Sequence, residues 1–278
     1  MKGSYKLGMY EKASPDDLTW AERFDAVKEC GYDYIEISID ESDKRLERLG
    51  WDAKSIRDLS SLARDHGIFL GSVCLSGQRR YPLGLDSPEV LPVMEKALRF
   101  ASLAGIPVIQ LAGYDVYYEK STPETLSRFE ENLRKSAKMA AEAGVIIAFE
   151  TMETPFMDTV GKAMKYVSLV DSPYLQVYPD VGNLNNASLL YGTSVVDDIL
   201  SGKGHIVATH IKDTVPGKYR NLLLGQGVVD FPSTLGAAYS LGVRRFVTEM
   251  WYLGNPEWKS DLKRAVSYAR SVLDALPD

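Results

Sequence analysis

The stretch Pro123–Met152, PETLSRFEENLRKSAKMAAEAGVIIAFETM, contains the unit from which the fold can be built. Leu126, Phe129, Leu133, Ala137 and Ala140 form one apolar stripe with charges elsewhere, which predicts an amphipathic helix. Gly144 follows, and glycine enters the left-handed region without a Cβ clash, so it suits the position just past a helix end. The chain then runs into VIIAF, short, β-branched and aromatic, as a buried strand is. That run ends on a carboxylate, Glu150.

The same punctuation recurs along the chain. Gly31, Gly67, Gly105, Gly204 and Gly242 each close a helix-like segment and open an apolar run: residues 32–39, 68–75, 106–113, 205–212 and 243–250. The run 174–181 follows Pro173, which stops the preceding helix, and 5–12 opens the series. Before Gly105, the segment 87–104 carries Ser87 as a helix cap, Pro88 at the first helical position and Glu89 in the first turn. Eight strands alternating with helices imply parallel pairing through right-handed crossovers. In a chain of 278 residues this predicts an α/β fold, a closed (β/α)8 TIM barrel, as a single domain over residues 1–278. An open doubly wound sheet is the alternative, but no run opens into G-x-G-x-x-G; Gly225-Gln226-Gly227 lacks the third glycine and the helix start.

Composition narrows the function classes. Formal net charge is −6 and charged residues make up 25% of the chain, which argues against a grip on nucleic acid or an anionic membrane. The opening Met1–Lys6 shows no apolar leader region, and no run approaches the roughly 18 apolar residues of a membrane span, so a cytoplasmic protein is expected. Cys30 and Cys74 show no metal-type spacing and are read as reduced, buried thiols.

Active sites of such barrels sit at the C-terminal ends of the strands. Polar residues interrupt the runs there: Glu36 with Ser38 and Asp40 in the second, Glu150 in the fifth, Asp180 in the sixth with Asn183 beyond, His210 with Lys212 and Asp213 in the seventh, and Glu249 in the eighth. A carboxylate at the end of a buried strand is costly unless paired or metal-bound. Glu150, Asp180, His210 and Glu249 together form a candidate site for one divalent ion, and their hard oxygens with one imidazole suit Mn²⁺, Co²⁺, Mg²⁺ or Zn²⁺. The other histidines read as structural: His66 ends a helix and His205 begins the seventh run, at the opposite end of the barrel.

Several stretches then point to one family: GMYEKA from Gly8, YIEISIDESDKRLERLGW from Tyr34, CLSGQRRYPLG from Cys74, IQLAGYDVYYE from Ile109, AFETM from Ala148, VYPDVGNL from Val177, HIKDT from His210, LGQGVVDF from Leu224 and EMW from Glu249. Over nearly its whole length the chain resembles the L-ribulose-5-phosphate 3-epimerases, also called L-xylulose-5-phosphate 3-epimerases, a sugar-phosphate branch of the xylose-isomerase-like barrels. The resemblance implies a metal-dependent isomerase of bacterial L-ascorbate and L-xylulose use, working on a small sugar phosphate, and a homo-oligomer, dimer or tetramer. The family's four ligand positions fall on the same Glu150, Asp180, His210 and Glu249. Two departures stand out: Gln78 where relatives carry histidine, and Leu184–Ala187 where they carry an aromatic residue.

Inverting carbon 3 of a ketopentose 5-phosphate requires removing the proton α to the C2 carbonyl and returning it on the other face through a cis-enediolate. Glu150 and Glu249 are the natural acid/base pair, with Asp180 and His210 as ligands only. Glu36 is expected on a substrate hydroxyl or a catalytic water, with a structural ion pair as the equal alternative. Lys12, Arg79, Arg80, Lys212 and Arg220 are candidates for the phosphate, the Arg79-Arg80 pair first; Asn183 and Tyr114, with Tyr117 and Tyr118, are expected around the substrate. The main alternative is a related ketose 3-epimerase or an aldose–ketose isomerase on another sugar. A damaged-DNA endonuclease on a related barrel needs more histidines than the three present, and a glycoside hydrolase would not need Asp180 and His210 beside its two glutamates.

Overall fold

The computed structural model describes residues 5–277, so the first four residues of the leader reading lie outside it. Eight parallel strands appear in chain order: β1 (Lys6–Tyr10), β2 (Tyr34–Ser38), β3 (Phe69–Leu75), β4 (Val108–Ala112), β5 (Ile146–Glu150), β6 (Leu175–Tyr178), β7 (Thr209–Ile211) and β8 (Arg245–Thr248). Sequence neighbours pair from β1 to β6 and again between β7 and β8, and β1 pairs with β8. The helices are α1 (Trp20–Glu29), α2 (Asp43–Leu46), α3 (Ala53–Asp65), α4 (Val90–Ala104), α5 (Pro123–Ala143), α6 (Val160–Val170), α7 (Val181–Tyr191), α8 (Val195–Ser201), α9 (Phe231–Ser240) and α10 (Trp258–Leu273).

The strand runs read from sequence all form strands, shorter than expected. The largest shortening is in β7, where only three of the eight residues join a ladder. Pro179 explains it. It has no N–H to donate, so β6 and β7 close the barrel through isolated bridges, Val177 to Ile206 and Asp180 to His210, with His210 N donating to Pro179 O at 2.9 Å. The six helix-ending glycines all take positive φ, Gly144 at 67°. Two boundary readings are corrected. Asp171, itself left-handed at φ 51°, ends α6 before Pro173 is reached. Helix α4 starts at Val90, and Ser87–Glu89 form a turn ahead of it, so Ser87 is not its cap.

The main apolar core lies between the barrel and its helices. Inside the barrel sit two small apolar clusters, Tyr10, Tyr34, Cys74 and Val247, and Val108, Ala148, Tyr178 and Ala208. Tyr34 fills the lower interior because Gly71 leaves space: a Cβ there would lie 2.1 Å from its ring. The β2–β3 register slips by one residue at Gly71, a bulge that sets Ser72 level with Glu36.

Candidate active site

The sheet twist aims the ends of β5 to β8 at one point. Glu150 is the last residue of β5, Asp180 caps α7 by accepting Asn183 N at 2.8 Å, His210 is the middle residue of β7, and Glu249 follows β8. One ligand atom from each lies within 4.8 Å of the other three. All four are buried, His210 and Asp180 completely. His210 Nδ1 faces the carboxylates, 3.1 Å from Glu150 Oε1, 3.6 Å from Glu249 Oε2 and 3.8 Å from Asp180 Oδ2. Lys212 Nζ lies 2.9 Å from Asp180 Oδ2 and 3.1 Å from Glu249 Oε2. Those two oxygens nevertheless take no well-formed hydrogen bond. Buried carboxylate oxygens whose hydrogen-bonding capacity is not filled, converging with an imidazole nitrogen, are the donor set a divalent cation fits.

The charges are set by their neighbours. Burial and the Glu249 charge push the Glu150 carboxyl above its ordinary range. Burial acts on Glu249 in the same sense, but Lys212 and His210 hold it well below. Two carboxyls pushed apart in this way can divide acid and base roles. Burial disfavours a charged His210, and the surrounding carboxylates, Glu36 first, outweigh it and raise its pKa.

Above this cluster opens a cleft lined by Tyr10, Lys12, Arg79, Glu153, Asn183, Arg220 and Trp251, among others. Its cations differ. Lys12 pairs with Asp40, Arg220 with Glu153 at 3.2 Å, and Lys212 with the carboxylates below. Arg79 has no carboxylate partner among the described residues; its guanidinium lies 5.9 Å from the Tyr114 ring centre and 5.4 Å from that of Tyr117. Tyr114 is buried behind it and donates to Glu153 Oε2 at 2.6 Å. Asn183 donates to Thr151 O at 2.7 Å and leaves its side-chain oxygen without a partner.

Other expected residues fall elsewhere. Glu36 does not reach the cleft: it is fully buried beneath His210, and both its oxygens are occupied, by His210 Nε2 at 2.7 Å and by Ser72 and Tyr178 hydroxyls at 2.6 and 2.9 Å. Arg80 points to solvent and pairs with Asp43 at 2.9 Å, because the short 3-10 turn Ser76–Arg79 aims adjacent side chains apart. Tyr118 is 74% exposed. Gln78 turns its side-chain oxygen to Ala112 N, outside the cleft lining. Asp213 accepts from the amides of Gly225 and Gly227, both at 2.8 Å, so that turn is folded onto a carboxylate. His66 meets Asp25 and His205 meets Gln176, both away from the cluster. Sequence reading passed over Gln110, which donates to Glu150 Oε2 from the middle of β4. As the one polar residue in its run, on the interior parity, it carried a signal.

Comparison with known proteins agrees with this geometry. The family profile described as xylose isomerase-like TIM barrel matches residues 24–272. L-ribulose-5-phosphate 3-epimerase UlaE of Salmonella paratyphi C (strain RKS4594) is 42% identical over 250 residues, covering 88% of this chain and 87% of the relative. The enzyme of that name from Escherichia coli O139:H28 (strain E24377A / ETEC) is similar to the same extent. Among solved structures, a D-psicose 3-epimerase with D-fructose superposes with a TM-score of 0.79 at 16% identity, over 97% of this chain and 100% of that one. An L-ribulose 3-epimerase does so at 0.78 and 16%, over 97% and 95%. At that identity the solved structures speak for the fold alone; with the profile and the curated relatives, they make the chain a member of the xylose isomerase-like TIM barrel family and, within it, of the L-ribulose-5-phosphate 3-epimerases.

Proposed function

We propose that this chain interconverts L-ribulose 5-phosphate and L-xylulose 5-phosphate by moving the proton at C3, with one divalent ion held by Glu150, Asp180, His210 and Glu249. The observation that carries the reading is the four-residue cluster at the floor of the cleft, two of whose carboxylate oxygens face Lys212 without a well-formed hydrogen bond. A bound Mn²⁺, Co²⁺, Zn²⁺ or Mg²⁺ would polarise the C2 carbonyl and stabilise negative charge at O2 and O3.

The chain's own groups do the rest. Glu150 and Glu249 enter from β5 and β8, on different sides of the cluster. One takes the C3 proton from one face, leaving a cis-enediolate, and the other returns a proton to the opposite face. Gln110 holds Glu150 Oε2, and Lys212 holds Glu249, so each carboxylate is oriented before substrate arrives. Asn183, through its free side-chain oxygen, takes a substrate hydroxyl. Arg79 takes the phosphate: it is the cleft cation with no carboxylate to give up, and the tyrosines beneath it fix its plane. Lys12 and Arg220, already paired, border the same end. The expected setting is the cytoplasm; among the described residues no helix is long and apolar enough to cross a membrane.

The test is turnover of a panel of pentulose phosphates in D₂O with each metal. Deuterium at C3 is expected. Deuterium at C1 would make the enzyme an aldose–ketose isomerase. Arg79→Gln should raise KM for the phosphorylated substrate and leave the free ketose unaffected; equal effects on both would remove the phosphate from Arg79.

A further inference from the structure

Glu36 is a carboxylate sealed inside the barrel, with no assigned work and nothing in reach that could be substrate. It is 0% exposed, and the groups around it come from three other strands: Ser72 of β3, Tyr178 of β6 and His210 of β7. Among the described residues its one ion-pair partner is His210. Such burial is expensive, and the bulge at Gly71 that brings Ser72 level with it shows local backbone shaped around this carboxylate.

The bonding pattern determines what Glu36 does. Ser72 and Tyr178 both donate to Oε2, which leaves Oε1 facing Nε2 of His210 at 2.7 Å. A carboxylate oxygen between such donors accepts, so Nε2 carries a hydrogen. An imidazole that ligates a cation is neutral and has only one N–H, so with an ion bound its ligating lone pair lies on Nδ1. That nitrogen is the one ringed by Glu150, Glu249 and Asp180, at 3.1, 3.6 and 3.8 Å. The ring is held edge-on against Tyr178, with centroids 4.9 Å apart, so the imidazole cannot swing to exchange its nitrogens without losing that packing.

We infer that Glu36 is a positioning residue that fixes the ring and tautomer of His210, presenting the Nδ1 lone pair to a divalent cation, with Ser72 and Tyr178 holding Glu36 in turn. The inference rests on the reading that the four residues above hold such an ion. Carboxylates in this relation to a ligating histidine change metal affinity by about 10–100-fold when removed.

Two measurements test it, and neither needs turnover. With only three histidines in the chain, ¹⁵N-histidine labelling and long-range ¹H–¹⁵N correlation of the Zn²⁺-loaded wild type read each ring separately. His210 should show a protonated Nε2 and a metal-shifted Nδ1; the reverse pattern overturns the inference. Affinity for Co²⁺ and Zn²⁺ is then measured by chelator competition for wild type and Glu36→Gln, with the Co²⁺ visible spectrum recorded for both. The glutamine keeps the shape and an acceptor for Nε2, and the two hydroxyls can rotate to accept from its amide. An affinity loss of about tenfold or more, with altered Co²⁺ bands, is expected. Equal affinity and identical spectra in a folded variant overturn the role of Glu36 while leaving the ion site in place. A wild type that binds no ion at all overturns the reading of the site, and this inference falls with it.

Discussion

Replacing Glu249 with glutamine separates the two proton-transfer roles assigned to Glu150 and Glu249. Glu249 Oε2 stands 3.1 Å from Lys212 Nζ. An ammonium only donates, so glutamine at 249 turns its amide oxygen to Lys212 and remains an acceptor there. Shape is kept, Glu150 keeps its bond to Gln110, and the change removes one group that takes and gives a proton while leaving a neutral amide oxygen where the ion's carboxylate ligand stood. Such a group contributes about 10²–10⁴-fold. At 1.36 kcal/mol per decade this is roughly 3–5 kcal/mol on the barrier, so epimerisation should fall by about three orders of magnitude. Proton exchange should not fall evenly. In the proposed mechanism each carboxylate serves the C3 hydrogen of one epimer only, because the two approach from β5 and β8. Glu249→Gln should therefore retain exchange from the epimer that Glu150 deprotonates and lose it from the other, and Glu150→Gln should show the reverse preference. The assay follows the C3 hydrogen of each purified epimer by NMR in D₂O, with bound metal quantified in the same samples. Loss of exchange in the same proportion from both epimers, with the ion still bound, would refute two-base chemistry.

Two further sets of outcomes follow, one from the cluster and one from a buried pair elsewhere. Divalent ion at about 100 times its Kd should stabilise the fold by about 2.7 kcal/mol, a Tm rise of roughly 5–10 °C. Asp180→Ala should abolish most of that rise and cost the ion-free protein about a further 1 kcal/mol, because Asp180 also caps α7; a wild-type Tm indifferent to all four metals would remove the ion from the site. Away from the cleft, burial alone would raise the pKa of fully buried Glu11, but two bonds of 2.7 Å from Arg48 win and lower it. Since the folded value lies below the unfolded one of about 4.3, the stabilisation is complete above that pH and is lost as pH falls through the folded value. Glu11→Gln, leaving Arg48 uncompensated, should cost about 3–5 kcal/mol at pH 7 and less at about pH 3.5 in urea unfolding; an equal cost at both would count against the pair.

Local chemistry made the barrel legible. A left-handed glycine after each amphipathic segment, as at Gly144, and a short apolar run after it are properties of neighbouring residues, written in consecutive letters. The cluster was legible for the same reason: Glu150, Asp180, His210 and Glu249 interrupt apolar runs at their C-terminal ends, where the barrel leaves room for polar groups. Sequence parity also shows which residues of a strand share the interior, and it grouped Glu36 with Ser38 and Asp40.

Parity does not give depth. How far down the barrel a side chain sits depends on strand tilt and stagger, which exist only once eight strands have closed on one another. Depth is what decided between the two readings of Glu36, substrate contact or buried ion pair, in favour of the pair with His210, and a single residue of slip at Gly71 is what brought Ser72 to it. In the same way, Arg79 and Arg80 are neighbours in sequence, but one faces the cleft and the other solvent, because the turn that carries them is set by packing against other elements. The sequence alone determined the kind of fold and the donors it brings to one rim. The closed barrel decided which nitrogen of His210 faces those donors and which carboxylate stands behind it, because those pairings join residues up to 174 positions apart that no local pattern links.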